Sequence, residues 1–493
     1  MRKYYLAIDI GRSSGRHLLG TIEDNGKITV SEIYSFSSQV SRNGEYQAWD
    51  LKDLMGEIIK GMKECKRKNK IPYSVGITGE GDGIVVLDEK NEVLAVSLGA
   101  ETEKVDEWKK LGINEWQFYQ ETGRFLNNHL PAVRLIKMKQ EKKKFAEAAS
   151  VLLLPDYLHF LLSGKKVMEY TNALEAGLIN PKTGGLCEEI LKQYEISTEL
   201  FSKIHYPETC IGKLCQEVRN QVGYDTKVIL PSTNSLYSAL LAIPAKREEF
   251  MFVQSETWAC LGCAGKSLPD EKTLYEERVQ LLSGYDPRRY VYKPVPGLWM
   301  LQCIRMEYGD VKTGQEVIDL ASRERNFPSL IDVEKPVFRF PLYVVKSIRE
   351  ECERTKQKVP LSLGEVAQVA IASIILSYQK EIKELESLLH VSFERIYLMG
   401  EGADQVYLND QIASATNKEV CFGIQYISAL GNILVQMLYG GEFLSLEKAR
   451  RCVRRSFEIK REKGEIARQK MTEGKRKQET GHNKKKIQIT KRL

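Results

Sequence analysis

The sequence predicts an α/β protein built from two similar lobes. Three observations carry that expectation. Residues 4–22 read as a short apolar strand, a tight Gly/Ser turn and a second apolar strand. Far downstream, residues 251–263 (MFVQSETWACLGC) repeat the pattern, with Ser255, Glu256 and Thr257 at the turn, which points to internal duplication. Elsewhere, strand-like runs alternate with segments of helical period, the pattern of layered α/β domains.

Taken in order, residues 4–10, 17–22 and 28–35 read as strands, a helix begins at Leu51, and strands follow at 73–77, 83–87 and 93–96. The polar stretch 243–249 (IPAKREE) reads as the link between lobes. In 366–389 the apolar residues Val366, Val369, Ala370, Ile374, Tyr378, Ile382, Leu385 and Leu389 recur at helical spacing. A strand at 395–399, a Gly400-Glu401-Gly402 turn and a helix over 406–415 come next, then a strand at 420–422 and a helix over 429–438. Strand, Gly turn and helix can present backbone N–H groups to a nucleotide, although a plain loop has the same signature. The expected boundaries are 1–243, 244–458 and a tail over 459–493.

The net charge of +7 belongs to that tail. Residues 460–493 hold thirteen Lys/Arg against four Asp/Glu, leaving the rest of the chain slightly acidic. The tail lacks an apolar stripe, so disorder is expected, either simply solvated or in weak contact with nucleic acid or an acidic surface. No apolar run nears the ~20 residues needed to span a bilayer, and Asp9 interrupts the first apolar stretch, so a cytoplasmic protein without a membrane partner is expected. The ten cysteines should be reduced, with Cys260 and Cys263 as buried thiols. The six histidines show no metal-ligand spacing, so no structural metal is expected.

The first hairpin suggests chemistry. Asp9, at the strand end, is placed to hold a hydrated Mg²⁺. Gly11 and Gly15 are expected to supply backbone conformations closed to other residues. Ser13 and Ser14 add hydroxyls, and Arg16 a fixed charge suited to phosphate. Such a strand-turn-strand loop differs from a Walker loop, which leads into a helix. An ordinary Gly-rich hairpin is the competing reading.

Together these segments resemble the FGGY carbohydrate kinases, and within them the rhamnulokinases. The blocks that carry the likeness are DIGRSSGR (9–16), Trp49-Asp50, LPDY (154–157), EYTNA (169–173), SETW (255–258), GLWMLQ (297–302) and ALGNILVQ (429–436). The resemblance implies two RNase H-like, actin-like lobes with an interlobe cleft. It also implies transfer of the γ-phosphoryl of Mg·ATP to a ketose such as L-rhamnulose. In such chemistry positioning and charge neutralisation dominate, and an Asp takes the hydroxyl proton.

Carried over by position, the nucleotide contacts would be Arg12, Ser13, Ser14, Gly15 and Arg16, with Asp9 for the metal. Thr257, Gln302, Gly400, Gly402 and Asn432 would complete that set. The sugar side departs from the family pattern. The family's His-Asp-Thr triplet, whose Asp is the base, is Asn234-Ser235-Leu236 here. Its Asp-Thr-Trp-Gly segment is Thr78-Gly79-Glu80-Gly81, and its Tyr-Arg-Asp block is Ser97-Leu98-Gly99. A sugar-binding Asn is replaced by Pro294. Gly81, Asn234, Leu236 and Pro294 are thus the substrate positions, mostly degenerate, and Ser235 stands where the base should be. Losing a general base typically costs 10²–10⁴-fold. Glu256 and Glu401 replace family glycines; a carboxylate ~4 Å from a phosphate charge would cost roughly 4 kcal/mol at an effective dielectric of 20, unless it faces solvent or binds magnesium. Asp82 and Glu80 are substitute bases to consider. Trp258 and Trp299 are expected as core or cleft-wall aromatics.

Two readings follow. One is a rhamnulokinase-like enzyme, impaired or altered at the base. The alternative is a catalytically inactive nucleotide-binding pseudokinase with a regulatory or binding role. A weaker third is an interaction protein acting through its tail.

Overall fold

The computed structural model describes residues 2–12, 14–37, 40–43, 46–79, 81–98, 107–141, 145–255, 259–265, 267–285, 288–310, 313–338 and 343–464. The chain forms two compact units. The first holds Met1–Glu248, Ala264–Val291 and Ile424–Glu458; the second holds Glu249–Cys263, Tyr292–Gly423 and Ile459–Leu493.

The first unit is built on a six-stranded sheet. Its order is Cys210–Lys213, Lys227–Ile229, Ser74–Gly79, Tyr5–Ile10, Ser14–Ile22, Ile28–Ser37. Tyr5–Ile10 runs antiparallel to Ser14–Ile22 and parallel to Ser74–Gly79. A buried apolar layer that includes Leu6, Ile8, Val75, Ile77, Ile58 and Met62 fixes the register, since a one-residue slip would turn these side chains to the other face. Leu51–Arg67 lies over this layer, and its start is set by Asp50, whose carboxylate accepts from the Lys52 and Asp53 N–H groups at 3.0 Å.

In the second unit the strands Arg289–Val295, Ala259–Gly265, Phe250–Gln254, Arg395–Met399 and Glu419–Phe422 follow one another across a sheet. The central Phe250–Gln254 is parallel to Arg395–Met399, which is parallel to Glu419–Phe422. This order matches Ile28–Ser37, Ser14–Ile22, Tyr5–Ile10, Ser74–Gly79 and Lys227–Ile229 in the first unit. Each sheet then gains an antiparallel strand at the same end: Cys210–Lys213 in one, Lys460–Glu462 in the other. The duplication expected from the two hairpins therefore extends through whole sheets.

The structure differs from the sequence reading in four places. The long helix begins at Leu363, three residues early, because Ser362 and Glu365 form a capping box. Lys460–Glu462, placed in the tail, is a strand held by Glu419–Phe422. Ile424–Glu458, placed with the second lobe, clusters with the first unit because its Ile427–Tyr439 helix is bonded to the first sheet. Neither Gly11 nor Gly15 has a positive φ. Gly15 is needed for space instead: a Cβ there would lie 2.1 Å from the Phe36 ring. All ten cysteines are free thiols, Cys260 and Cys263 buried. No described helix is long and apolar enough to cross a membrane.

Candidate active site

In the first unit, register alone brings Asp9, Arg16 and Thr78 together. Asp9 pairs with Arg16 on one side and Thr78 on the other, so the three sit in a row across three strands. Thr78 donates to Asp9 Oδ1 at 3.2 Å. Ser428, at the start of the Ile427–Tyr439 helix, donates to the same oxygen at 3.4 Å. Among the described residues Oδ2 has no hydrogen-bond partner. Arg16 lies 5.4 Å from the Tyr426 ring and 3.8 Å from the Glu32 carboxylate. The turn is closed by Gly11 N–H donating to the Ser14 carbonyl at 2.9 Å.

Burial pushes the Asp9 carboxyl up to about 6, against the lowering effects of the Thr78 and Ser428 hydroxyls and of Arg16. A folded-state value above the unfolded one means stability is lost as pH rises through about 6, where a half-buried charge must form. Asp9→Asn should therefore stabilise the metal-free protein by about 2 kcal/mol at pH 7.5 and by much less at pH 4.5. Thermal melts at the two pH values check this; an equal shift at both would contradict it.

The sugar-side positions Gly81, Asn234 and Ser235 also meet in the first unit. Gly79 N–H donates to the Thr233 carbonyl at 3.0 Å, and Gly79 bridges Asn234 in parallel. This ties the end of the Ser74–Gly79 strand to the start of the Ser235–Ala242 helix. Asn234 caps that helix, its Oδ1 accepting from Leu236 N–H at 3.0 Å and Tyr237 N–H at 3.4 Å. Ser235 is the first helical residue, half-buried. Leu236 is 8% exposed and belongs to the core. A Cβ on Gly81 would fall 2.0 Å from Asn172 Oδ1 and 2.9 Å from Asn234 Nδ2, so the two amides converge over a glycine that must remain bare.

Asn172 was missed as a site residue although it lies in the EYTNA block. It is fully buried, and neither polar atom of its side chain has a hydrogen-bond partner among the described residues. An unpaired buried amide is costly, which marks a position made to meet a polar ligand or water. Its backbone is rigid: Glu169, fully buried, accepts from Thr171 and Asn172 N–H groups and from Thr233 N–H and Oγ1. Ser428 was also missed, because its partner Asp9 is 419 residues away and no local pattern announces it.

Asn432, expected on the nucleotide side, is bonded within the first unit. It is fully buried, donates to the Gly76 carbonyl at 3.0 Å and accepts from Gln436 at 2.7 Å. Gln436 in turn donates to the Leu6 carbonyl at 2.9 Å and accepts from Ser74 Oγ at 2.6 Å. These two amides bond the helix to the sheet that carries Asp9.

In the second unit, Gly402 N–H donates to the Ser255 carbonyl at 2.9 Å, and a Cβ on Gly402 would lie 2.6 Å from both Ser255 Oγ and Leu298 Cδ1. Gly400 has φ 88°. Ser255, which follows the Phe250–Gln254 strand, thus meets the Gly turn. A cavity of about 20 Å³ beneath them, lined by Ser255, Leu298, Ile371, Tyr378, Gly402 and Ile412, has room for one water and not for a purine. Gln302 is exposed on the Trp299–Tyr308 helix, and Pro294 is exposed in the Arg289–Val295 strand. Ser13, Glu80, Gly99, Glu256, Thr257, Trp258 and the Glu401 side chain lie outside the described residues.

Comparison with known proteins decides the family. Residues 4–235 match the N-terminal domain of the FGGY family of carbohydrate kinases. A rhamnulokinase of Halalkalibacterium halodurans is 33% identical over 470 residues, covering 93% of this chain and 98% of that protein. The chain belongs to the FGGY family of carbohydrate kinases. The Bacillus subtilis rhamnulokinase is 29% identical over 464 residues, covering 92% of this chain and 94% of that protein. Among solved structures, gluconate kinase from Lactobacillus acidophilus gives a TM-score of 0.76 at 17% identity, covering 95% and 94% of the two chains. Glycerol kinase of Plasmodium falciparum with ADP gives 0.73 at 13% identity, covering 98% of each. The fold of this FGGY protein is therefore the α/β, two-domain, actin-like fold of sugar kinases.

The family uses ATP with a divalent metal. Asp9 fits a hydrated magnesium ion: a half-buried carboxylate with one oxygen already oriented by two hydroxyls and the other without a partner among the described residues.

Proposed function

We propose that this FGGY protein phosphorylates a hydroxyl of a ketose with Mg·ATP, and that L-rhamnulose itself turns over slowly. The observation that carries the proposal is Ser235: a hydroxyl at the head of a helix, next in sequence to Asn234, whose amide lies over Gly81, where the family places a carboxylate. The unpartnered Asn172 amide supports a ligand rich in hydroxyls. Bound magnesium would offset negative charge on the transferred phosphoryl group. Asp9 would orient the metal, while Arg16, Arg12, Ser13 and Ser14 would bind phosphate. Thr257, Gln302, Gly400 and Gly402 would be further nucleotide contacts.

The experiment is ADP release with L-rhamnulose, L-fuculose, L-ribulose, D-xylulose and D-fructose. We expect turnover with one ketose and a rate for L-rhamnulose at least 10²-fold lower than ordinary enzyme turnover of about 10 s⁻¹. Rapid turnover of L-rhamnulose would contradict the reading.

A second reading, a nucleotide-binding pseudokinase, is favoured by the loss of sugar-side polar groups at Leu236 and Pro294. Its signature is Mg·ATP binding by calorimetry with no ADP released beyond background for any sugar.

A further inference from the structure

The loop that follows the Ser74–Gly79 strand places a second carboxylate at the sugar positions. Asp82 directly follows Gly81, the residue over which Asn172 and Asn234 converge. Its main chain is held in place: Arg134 donates to the Asp82 carbonyl and, at 3.1 Å, to Ser97 Oγ. Its side chain is aimed by Arg12, whose Nη2 donates to Asp82 Oδ2 at 2.6 Å. The other oxygen, Oδ1, is buried and has no hydrogen-bond partner among the described residues. A carboxylate with one oxygen clamped by a guanidinium and the other desolvated and unsatisfied is an acceptor awaiting a donor. No described residue supplies that donor, which leaves Oδ1 open to one from the site. Arg12 lies in the turn that the phosphate-loop reading gives to the triphosphate, so the ion pair spans from the phosphate loop to the sugar positions.

We propose that Asp82, oriented by Arg12, is the proton acceptor of this kinase, in place of the carboxylate absent at Ser235. The inference rests on the sugar-kinase reading. In the step, the ketose O–H bond breaks and its proton passes to Asp82 Oδ1. The freed oxygen forms a bond to the γ-phosphorus of Mg·ATP. The bond from that phosphorus to the β,γ-bridging oxygen breaks, and ADP leaves with its electron pair. Arg12 is a positioning residue, since it holds Oδ2 and leaves Oδ1 to face the substrate. A base displaced from the Ser235 position toward Gly81 would reach a different hydroxyl, or the same hydroxyl of a differently seated ketose. This accounts for a sugar side that departs from the family pattern without requiring loss of activity.

The test is steady-state ADP release by wild type, Asp82→Asn, Arg12→Ala and Asp82→Asn/Ser235→Asp with Mg·ATP and the five ketoses, with calorimetric ATP binding on each variant. Asp82→Asn is expected to lower kcat 10²–10⁴-fold with the ATP Kd unchanged within threefold. Arg12→Ala should leave Asp82 present but lower kcat at least tenfold with the ketose KM changed less than threefold, a split that loss of a merely structural residue would not produce. The double variant should recover at least tenfold of the lost turnover on L-rhamnulose. Retention of wild-type kcat by Asp82→Asn would overturn the assignment while the kinase reading stands. Loss of ATP binding in Asp82→Asn would overturn it too, by marking Asp82 as a structural residue. Absence of turnover by wild type with every ketose, with ATP still bound, would remove the kinase reading and the base together.

Discussion

Ser235→Asp should raise the turnover of L-rhamnulose about 10²-fold or more. The substitution supplies a carboxylate at the first residue of the Ser235–Ala242 helix, whose first turn holds no acidic side chain. A negative charge there interacts favourably with the helix N-terminus, worth roughly 0.3–1 kcal/mol, so the variant should fold at least as well as wild type. The same field favours the ionised form, which a general base needs at neutral pH. Asn234 already caps the helix through Leu236 and Tyr237 N–H groups, so the new carboxylate is not drawn into capping. Leu236 stays in the core, and its missing polar contact is not restored. The gain should therefore appear in kcat more than in KM. Steady-state kinetics at saturating Mg·ATP measure it, and an unchanged kcat would show that Ser235 does not face the reacting hydroxyl.

Gly431→Ala should destabilise the first unit by about 3 kcal/mol. Gly431 lies in the Ile427–Tyr439 helix where it crosses the Ser235–Ala242 helix. A Cβ there would sit 1.7 Å from the Ser238 carbonyl oxygen and 2.5 Å from its carbon. Both are backbone atoms, so no rotamer change relieves the clash and one helix must move. Ser238 is one turn beyond Ser235, and Ser238 Oγ donates to the Ser428 carbonyl at 2.8 Å, so the shift would reach both the base position and the hydroxyl that orients Asp9. Gly56→Ala is the control. It lies in the Leu51–Arg67 helix with open space at its Cβ, and the change should stabilise by about 1 kcal/mol. Urea unfolding of both variants checks the pair; equal midpoints would contradict the packing argument.

What could be read from the sequence followed the range of its signals. The Leu363–Leu389 helix and the Tyr5–Ile10/Ser14–Ile22 hairpin rest on local periodicity and were legible to within a few residues. The Asp9 neighbourhood was half legible. Arg16 belongs to the same hairpin, but Thr78 and Ser428 reach Asp9 only through tertiary packing. The packing role of Asn432 was not legible. Its position suggested a nucleotide contact, yet a polar side chain on a buried helix face was needed to bond two sheet carbonyls through itself and Gln436. The Arg12–Asp82 pair was illegible because nothing in either segment states that the two turns adjoin. Gly15 and Gly431 were legible as glycines but not as close approaches, since the groups that crowd them, Phe36 and Ser238, come from other elements.

The short Lys460–Glu462 pairing has a practical consequence for anyone trimming the basic run. Cutting at Glu458 would strip Glu419–Phe422 of its neighbour and leave a row of bare amide and carbonyl groups, an adhesive margin through which separate molecules could zip together. Cutting after Gly464 would discard most of the positive charge while leaving that margin sealed, so light scattering should separate the two truncations: the shorter forms multimers, the longer stays dispersed.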